Sequence, residues 1–252
     1  MNTCAASRHK REKHSVERGI KMGCFYGYGY GILIIGMLIT MMASSKLRST
    51  YAKYGKVLSR SGLTGRTAAQ QILAGAGLTS VRIEHIQGSL TDNYSPMQQV
   101  LHLSDSTDES NSIAAIGVAA HECGHAMQHA EGYIPLKFVN TLSPTARIGS
   151  MISWPLIIVG LFMRSSAGQT VLNIGIGLFA LAVLLTIALL PVEFNASNRA
   201  VRVLADSGMM DQEELAGVRQ VLNAAAMTYV ASAAVAIMQL FRILMITGGR
   251  RR

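Results

Sequence analysis

A group of side chains that can bind a metal ion occupies the stretch "HECGH". His121 and His125 are four residues apart, which places both imidazoles on one face of a helix, one turn from each other. That spacing lets two ring nitrogens reach one zinc ion at about 2.0–2.1 Å. Glu122 lies roughly 100° further round the helix, where it can reach a water on the metal without being a ligand. The H-E-x-x-H pattern predicts hydrolysis by a zinc-activated water with Glu122 as general base.

The alternative interpretation of this stretch is a solvated polar helix face that carries several imidazoles. The surrounding sequence "AAIGVAAHECGHAM" is instead rich in Ala and Gly, as expected of a buried helix, where polar side chains are costly. Gly124 leaves room for close approach of backbone or substrate. Cys123 points away from the histidine face, and we interpret it as a small buried packing residue.

A zinc hydrolase usually needs a third protein ligand. His129 lies about 12 Å along the helix from His121, too far to share one ion with it, so we interpret it as a neighbour of the site. Glu193, in "PVEFNASNRA" after a long apolar run, is the better candidate. Two apolar runs separate it from His121, so both residues would lie on one side of a membrane. The alternative role for Glu193 is that of a partner for the dipole of a helix that starts at Pro191.

The composition favours a membrane protein, since 50% of the 252 residues are hydrophobic and 15% are charged, against roughly 25% charged in soluble domains. Residues 22–43 and 171–190 carry no charge and are long enough to cross a hydrocarbon core of about 30 Å. Residues 148–163 form a shorter run that needs snorkelling arginines or a thinned bilayer. A fourth, Ala-rich run between Arg219 and Arg242 is either a further span or a buried soluble helix. We therefore expect about four transmembrane helices.

The basic residues that give the net charge of +9 lie beside the apolar runs, and they do not form a nucleic-acid-binding motif. Twelve of the 23 Lys and Arg residues precede residue 67, on both sides of the first apolar run, as basic residues beside membrane spans do. The lipid bilayer and a peptide or membrane-protein substrate are therefore the expected partners, and nucleic acid is not. The basic start and the terminal arginines place the residue 44–146 region outside the cell, although the basic residues in 46–66 favour the opposite orientation.

The hydrophilic stretch between the first two apolar runs is predicted to be a small α+β unit. It contains a Thr-capped helix that ends at Gly77, strands in "VRIEHI" and "MQQVLHLS" that pair, and the motif helix, which runs to about Ala130. The segment "GSLTDNYSP" between the strands is predicted to be a turn. The strand "VLHLS" could offer an edge for an extended peptide. The predicted regions are a basic tail (residues 1–21), an anchor (22–43), a catalytic region (44–146), a transmembrane hairpin (147–190), a helix with the third ligand (191–218) and a C-terminal helix with a basic tail (219–252).

The sequences "GVAAHECGHAMQH" and "LLPVEFNASNRA", with a hydrophobic hairpin between them, resemble the YugP-type family of membrane zinc metallopeptidases. The resemblance extends from about Phe25 to Leu240, and the layout is also similar to HtpX-type membrane proteases. It implies a mainly α membrane protein with a zincin-like core, in the plasma membrane of a prokaryote. It also implies one zinc ion in a gluzincin-like centre, with His121, His125 and Glu193 as ligands and Glu122 as base.

The chain departs from the HtpX-type pattern E-x-x-x-D, because Ser197 stands where those relatives carry an acid. A serine cannot supply the carboxylate that orients a ligating histidine, so Asn195 or Asn198 are alternatives for that hydrogen bond. Arg199 follows on the same predicted helix, where it can bind a substrate carboxylate or carbonyl, or pair with a surface group.

Two further roles stay open in the sequence. Tyr94 and Tyr133 are both candidates for stabilising an oxyanion, whereas His85 and His102 fit structural positions in strands. Two other functions also remain open: a catalytically silent membrane scaffold that binds zinc, and a partner-binding membrane protein without a metal.

Overall fold

The computed structural model describes residues 30–163 and 165–248. The basic tail (1–21), the start of the first apolar run, Arg164 and the terminal arginines lie outside the described residues. The elements, in chain order, are α1 (Tyr30–Tyr54), α2 (Gly65–Gly75), β1 (Arg82–Ile86), β2 (Asn93–Ser95), β3 (Val100–Ser104), α3 (Ile113–Ala130), α4 (Ile134–Phe162), α5 (Ser166–Asp206) and α6 (Gln212–Gly248).

Four of these helices, α1, α4, α5 and α6, are long and apolar enough to cross a membrane. This confirms a mainly helical fold with about four candidate spans. The run at 148–163 looked short because it is only part of α4, which begins at Ile134 and has 29 residues. The described part of the first run belongs to α1, which continues to Tyr54.

Helix α5 contradicts the prediction that a new helix begins at Pro191. It is one continuous helix of 41 residues, with Pro191 in its interior. A proline within a helix loses one backbone hydrogen bond, but neighbouring helices in a membrane bundle can compensate for it. Glu193 is therefore held near the middle of a helix, and the alternative role as partner of a helix N-terminus is wrong.

The sheet has three strands rather than two, in the order β1-β3-β2. Strand β1 pairs with β3 in parallel, and β2, which lies in the predicted turn segment, pairs with β3 in antiparallel orientation. The segment "VLHLS" is thus the central strand, and the prediction that it offers a free edge is wrong. Four of its five residues are buried, as expected of a strand with a neighbour on each side. The edge next to the motif helix belongs to β2.

Helix α3 lies at the centre of the hydrophilic unit and ends at Ala130, as its sequence predicts; its first residue is Ile113. The Ser112 side chain accepts a hydrogen bond from the Ala115 amide at the start, and Gly132 adopts a left-handed φ of 67° after the end. The main core cluster combines α3 with α2, β3, the C-terminal part of α5 and the N-terminal part of α6. Gly124 brings α3 close to α5, because a Cβ at this position would lie 2.7 Å from the Ala196 carbonyl oxygen.

Contacts between the long helices show which of their ends lie together. Gly36 of α1 faces Val235 of α6, whereas Tyr54 at the other end of α1 lies against Gly217 near the start of α6, so these two helices are antiparallel. A buried cluster near the end of α6 contains Ile157, Leu172 and Ile243. The start of α1, the α4–α5 turn and the end of α6 therefore lie at one end of the bundle, and the hydrophilic unit lies at the other.

Candidate metal centre

The three predicted ligands meet at the junction of α3 and α5. His121 and His125 are one turn apart on α3, and Glu193 faces them from α5. Glu193 Oε2 lies 3.3 Å from His121 Nε2 and 3.8 Å from His125 Nε2, and one ligand atom of each residue lies within 4.8 Å of the others. In the described part of the chain these three residues form a group that could hold a metal ion.

The distances between the ligand atoms fit zinc. Four bonds of about 2.0–2.1 Å in a tetrahedron place neighbouring ligand atoms about 3.4 Å apart, close to the two separations observed. Two imidazoles and a carboxylate are also a usual donor set for a catalytic zinc, which leaves the fourth position open. Both histidines present Nε2 to Glu193, so their Nδ1 atoms remain for other partners.

Each histidine has a hydrogen-bond partner on its outer nitrogen. His121 Nδ1 lies 3.2 Å from the Ser197 hydroxyl, so serine occupies the place where the HtpX-type pattern has a carboxylate. His125 Nδ1 donates to Gln128 Oε1 at 3.1 Å. The Gln128 amide is fixed in turn, because its Nε2 donates to the Val192 carbonyl and to Asn195 Oδ1. Such partners hold a ligating ring in the correct tautomer and orientation.

The protonation of the histidines also bears on metal binding. Burial, together with the neighbouring His121, lowers the pKa of His125 to about 4, so its imidazole is neutral, as a metal ligand must be. The pKa of His121 is raised above its ordinary value: burial opposes this, but the hydrogen bond to Glu193 and the charges of Glu122 and Glu193 outweigh it.

Glu122 is buried beside the three residues but is not one of them. Burial raises its pKa to about 7, while the charge of His121 acts in the opposite direction. The backbone amide of Tyr94, in β2, also stabilises the ionised carboxylate. A carboxyl that titrates near neutrality can both accept and return a proton.

A cavity of about 230 Å³ opens onto this group. Its lining comes from β2, α4, α5 and α6 as well as α3: Asp92, Asn93, Tyr94, Pro96, Glu122, His125, Leu136, Val139, Asn140, Leu189, Val192, Glu193 and Tyr229. Tyr229 of α6 lines the same cavity as Glu193, and its phenol interacts with the Glu193 carboxylate. The cavity therefore combines a potential metal site, a buried carboxyl group and a phenol.

The other predicted neighbours of the site fall into two groups. His129 does not reach the ligands: its Nδ1 lies 2.9 Å from the Tyr94 hydroxyl, which connects α3 to β2. Asn195 contacts Gln128, as described, and also accepts from Arg199 Nε at 2.7 Å. Arg199 forms a two-pronged ion pair with Glu131 at the end of α3, so it supports the α3–α5 contact rather than facing the cavity.

Asn198, Tyr133 and Cys123 lie apart from the candidate ligands. Asn198 is exposed and lines clefts on the other side of α5. Tyr133 packs beside Leu136 at the start of α4 and is not among the residues that line the cavity. Cys123 is fully buried against α2, where burial raises the pKa of its thiol. This placement matches the interpretation of Cys123 as a packing residue.

Sequence reasoning missed Gln128 and Tyr229. Gln128 follows His125 by three residues, so its position on the same helical face was a usable signal. Tyr229 had no such signal, because it lies in the Ala-rich run of α6 and meets Glu193 only through the packing of α5 against α6. The only hint in the sequence was the presence of a tyrosine hydroxyl in this Ala-rich run.

Comparisons with known proteins agree with this geometry. The family model described as "Putative neutral zinc metallopeptidase" matches residues 30–248. The "Putative membrane protease YugP" of Bacillus subtilis (strain 168) is 40% identical over 215 residues, which cover 85% of this chain and 94% of the relative. No solved structure matches the chain. Zinc is the metal that the family implies, four apolar helices accord with an integral membrane protein, and the chain belongs to the putative neutral zinc metallopeptidase family.

Proposed function

We propose that the protein is a membrane-embedded, zinc-dependent endopeptidase in which His121, His125 and Glu193 hold one zinc ion. The observation that carries the proposal is the position of Glu122, which shares one cavity with His125 and Glu193 and is not itself part of the ligand group. A purely structural zinc site closes all four positions with protein ligands. Here a cavity lies beside three ligands and a buried carboxyl group.

The proposed chemistry uses the residues of the cavity in separate roles. Zinc supplies Lewis acidity, which makes a water molecule more acidic and polarises a carbonyl group. Glu122 takes the proton of the attacking water as the new C–O bond forms, and it returns the proton to the amine nitrogen as the C–N bond breaks. Ser197 and Gln128 keep the two imidazoles in the ligating orientation.

The edge of β2 is the proposed binding site for the peptide backbone. Strand β2 pairs with β3 along one edge, and the Tyr94 amide on its other edge faces Glu122. An extended peptide that pairs with this free edge would place a peptide bond beside the candidate centre. The contact between Tyr94 and His129 holds the short strand against α3.

We further propose that the protein resides in the plasma membrane of a prokaryote with the centre facing outward. An even number of candidate spans, α4 and the apolar part of α5, lies between His121 and Glu193. This supports placing both residues on the same side of the membrane. The basic N-terminal tail and the arginines at the C-terminus favour the cytoplasm for the opposite end of the bundle.

The test of this function compares the full chain with Glu122→Gln, both purified in lipid nanodiscs. We expect near-stoichiometric zinc in both proteins by elemental analysis. Cleavage of a quenched-fluorescence peptide library should fall by about 10²–10⁴-fold in the variant, the usual contribution of a general base.

The other outcomes identify the competing functions. Full activity of Glu122→Gln would show that the proposed mechanism is wrong. Zinc without any cleavage by the unaltered chain would favour a silent zinc-binding scaffold. Absence of zinc from the unaltered chain, with His121→Ala as control, would favour a partner-binding protein without a metal.

A further inference from the structure

We infer that the centre acts on polypeptide segments that lie against the bilayer surface, such as the extended segment next to a membrane anchor. This inference rests on the proposed peptidase function and names the substrate class. It is carried by the depth of the cavity, by the origin of its walls and by the apolar side chains at its rim.

The depth of the centre follows from the continuity of α5. The apolar run 171–190 ends at Leu190, before Pro191, and Glu193 is the first charged residue after it in the same helix. At 1.5 Å per residue, Glu193 lies about 4.5 Å along the helix axis from the end of the run. The candidate ligands are therefore close to the plane where the hydrocarbon core ends.

Helix α4 gives a second measure of the same boundary. Arg147 is exposed on α4, and Gly149, two residues later, faces Leu178 of α5. Leu178 precedes Glu193 by 15 residues in α5, so the Cα of Arg147 lies about 20 Å deeper in the bundle than Glu193. Side chains on a helix point toward its N-terminus, which for α4 is the end near the cavity, so the guanidinium can snorkel about 6 Å toward that end. The end of the apolar run in α5 and the reach of Arg147 in α4 thus place the boundary about 5–14 Å below the centre.

The two walls of the cavity have different characters. Apolar residues of the α4–α5 hairpin, Leu136, Val139, Leu189 and Val192, form one wall, and these helices continue into the predicted membrane region. The other wall is the β2 edge with Asn93, Tyr94 and Pro96. A peptide on the β2 edge would thus run beside the surface of the hairpin rather than in open water.

Large apolar side chains are exposed at the rim. Met97, next to Pro96 in the β2–β3 turn, is 98% exposed. On α4, Ile134 is 80% exposed and Phe138 is 49% exposed. Apolar side chains grouped around a cavity are typical of surfaces that contact a membrane or a partner, and the interfacial layer of a bilayer would cover these three.

The depth sets the position of the cleavable bond in the substrate. An extended chain advances about 3.3 Å per residue, so a depth of about 14 Å corresponds to about four residues. A membrane-anchored substrate should be cut within about three to five residues of the point where its chain leaves the hydrocarbon core.

The experiment uses the full chain loaded with zinc in liposomes, together with a reporter that has one transmembrane helix followed by a polar linker. The linker repeats one short peptide, so that the same bond recurs at increasing distance from the bilayer. We expect mass spectrometry to locate the cuts in the first three to five residues. The same linker without the membrane helix should be cut at least ten-fold more slowly.

Three outcomes decide between the possibilities. Cuts spread evenly along the linker, or equal cleavage of the soluble linker, would overturn the inference and leave the proposed peptidase function intact. No cleavage of either reporter by the zinc-loaded chain would overturn the proposed function and the inference with it. Glu122→Gln serves as the inactive control for each reporter.

A second measurement tests the depth without any activity. In a chain with Cys4 and Cys24 replaced by serine, Met97→Cys carries a fluorophore, and Gln87→Cys is the matched control. Gln87 lies in the loop that contacts Ser106, which in turn accepts a hydrogen bond from Tyr51 near the water-side end of α1. We expect lipid-borne quenchers to quench the label at position 97 at least three-fold more than at position 87. Equal quenching would overturn the inference.

Discussion

At the scale of single residues, the candidate centre depends on hydrogen bonds to the Nδ1 atoms of the two histidines, on the side of each ring that faces away from Glu193. Ser197 meets His121, and Gln128 meets His125 while donating to two acceptors on α5. Because Gln128 is fully buried, replacing it leaves several polar groups without partners. The orientation of the His125 ring is therefore more strongly constrained than that of the His121 ring.

Gln128→Leu is expected to weaken zinc binding by about 10–100-fold, the usual effect of losing a partner that orients a ligand. Ser197→Ala should have a smaller effect in the same direction, since one hydroxyl contact is lost. Competition with a chromogenic chelator measures both affinities. Asn198→Ala, next to Ser197 but exposed, is the control and should bind zinc as the unaltered chain does. Unchanged zinc affinity in Gln128→Leu would contradict this role.

Tyr229→Phe tests the phenol that contacts Glu193. We expect zinc to remain bound, because the phenyl ring of the variant would keep the packing of α6 and the three ligands would be intact. The catalytic constant on library peptides should fall by about 10²–10³-fold if the hydroxyl stabilises developing charge on the carbonyl oxygen. Tyr94 and Tyr229 both line the cavity. Measuring the same kinetic constants for Tyr94→Phe shows which of the two phenols has this effect. A change in KM alone for Tyr229→Phe would count against a role in the transition state.

At the scale of elements, the centre depends on the close approach of α3 and α5. Gly124 permits this approach, and the Arg199–Glu131 ion pair connects the two helices further along. The proposed metal ligands are divided between these same helices, so a change in the separation of α3 and α5 changes the distance from Glu193 to the histidines. Packing and metal binding are therefore coupled at this junction.

Gly124→Ala is expected to destabilise the protein by about 1–3 kcal/mol, because the added methyl group meets the backbone of Ala196 and forces the helices apart. Thermal unfolding in detergent, with and without zinc, measures the effect. Gly177→Ala in α5 is the matched control, since a Cβ there has open space around it, and it should be neutral or slightly stabilising. Equal melting temperatures for the two variants would contradict this account.

At the scale of the whole molecule, the four long helices fix which segments share a side of the membrane. The hydrophilic unit and Glu193 lie at one end, and the α4–α5 turn lies at the other, as the antiparallel contacts of α1 and α6 require. This arrangement does not depend on which end faces the cytoplasm.

Cysteine labelling in intact cells tests the topology in a chain without Cys4 and Cys24. Gln87→Cys is expected to react with a membrane-impermeant thiol reagent from outside, whereas Ser165→Cys in the α4–α5 turn should react only after lysis. The buried Cys123 gives the background. The reverse pattern would place the centre in the cytoplasm, and labelling of both positions from one side would contradict the parity of the spans.

The sequence by itself determined the features that depend on local periodicity. The spacing of His121, Glu122 and His125 fixes their relative directions on any α-helix, and Gly132 marks where α3 ends. Long uncharged runs likewise predict spans, since hydrocarbon accepts few charges. These features need no knowledge of distant parts of the chain.

The tertiary structure decided what depends on contacts between distant segments. Pro191 fits a helix start locally, yet the apolar helix before it continues through it because the surrounding bundle stabilises the longer helix. The short strand β2 forms only because β3 lies opposite, and Tyr229 reaches Glu193 only because α6 packs against α5. Such contacts arise from packing over long sequence separations, which no local pattern encodes.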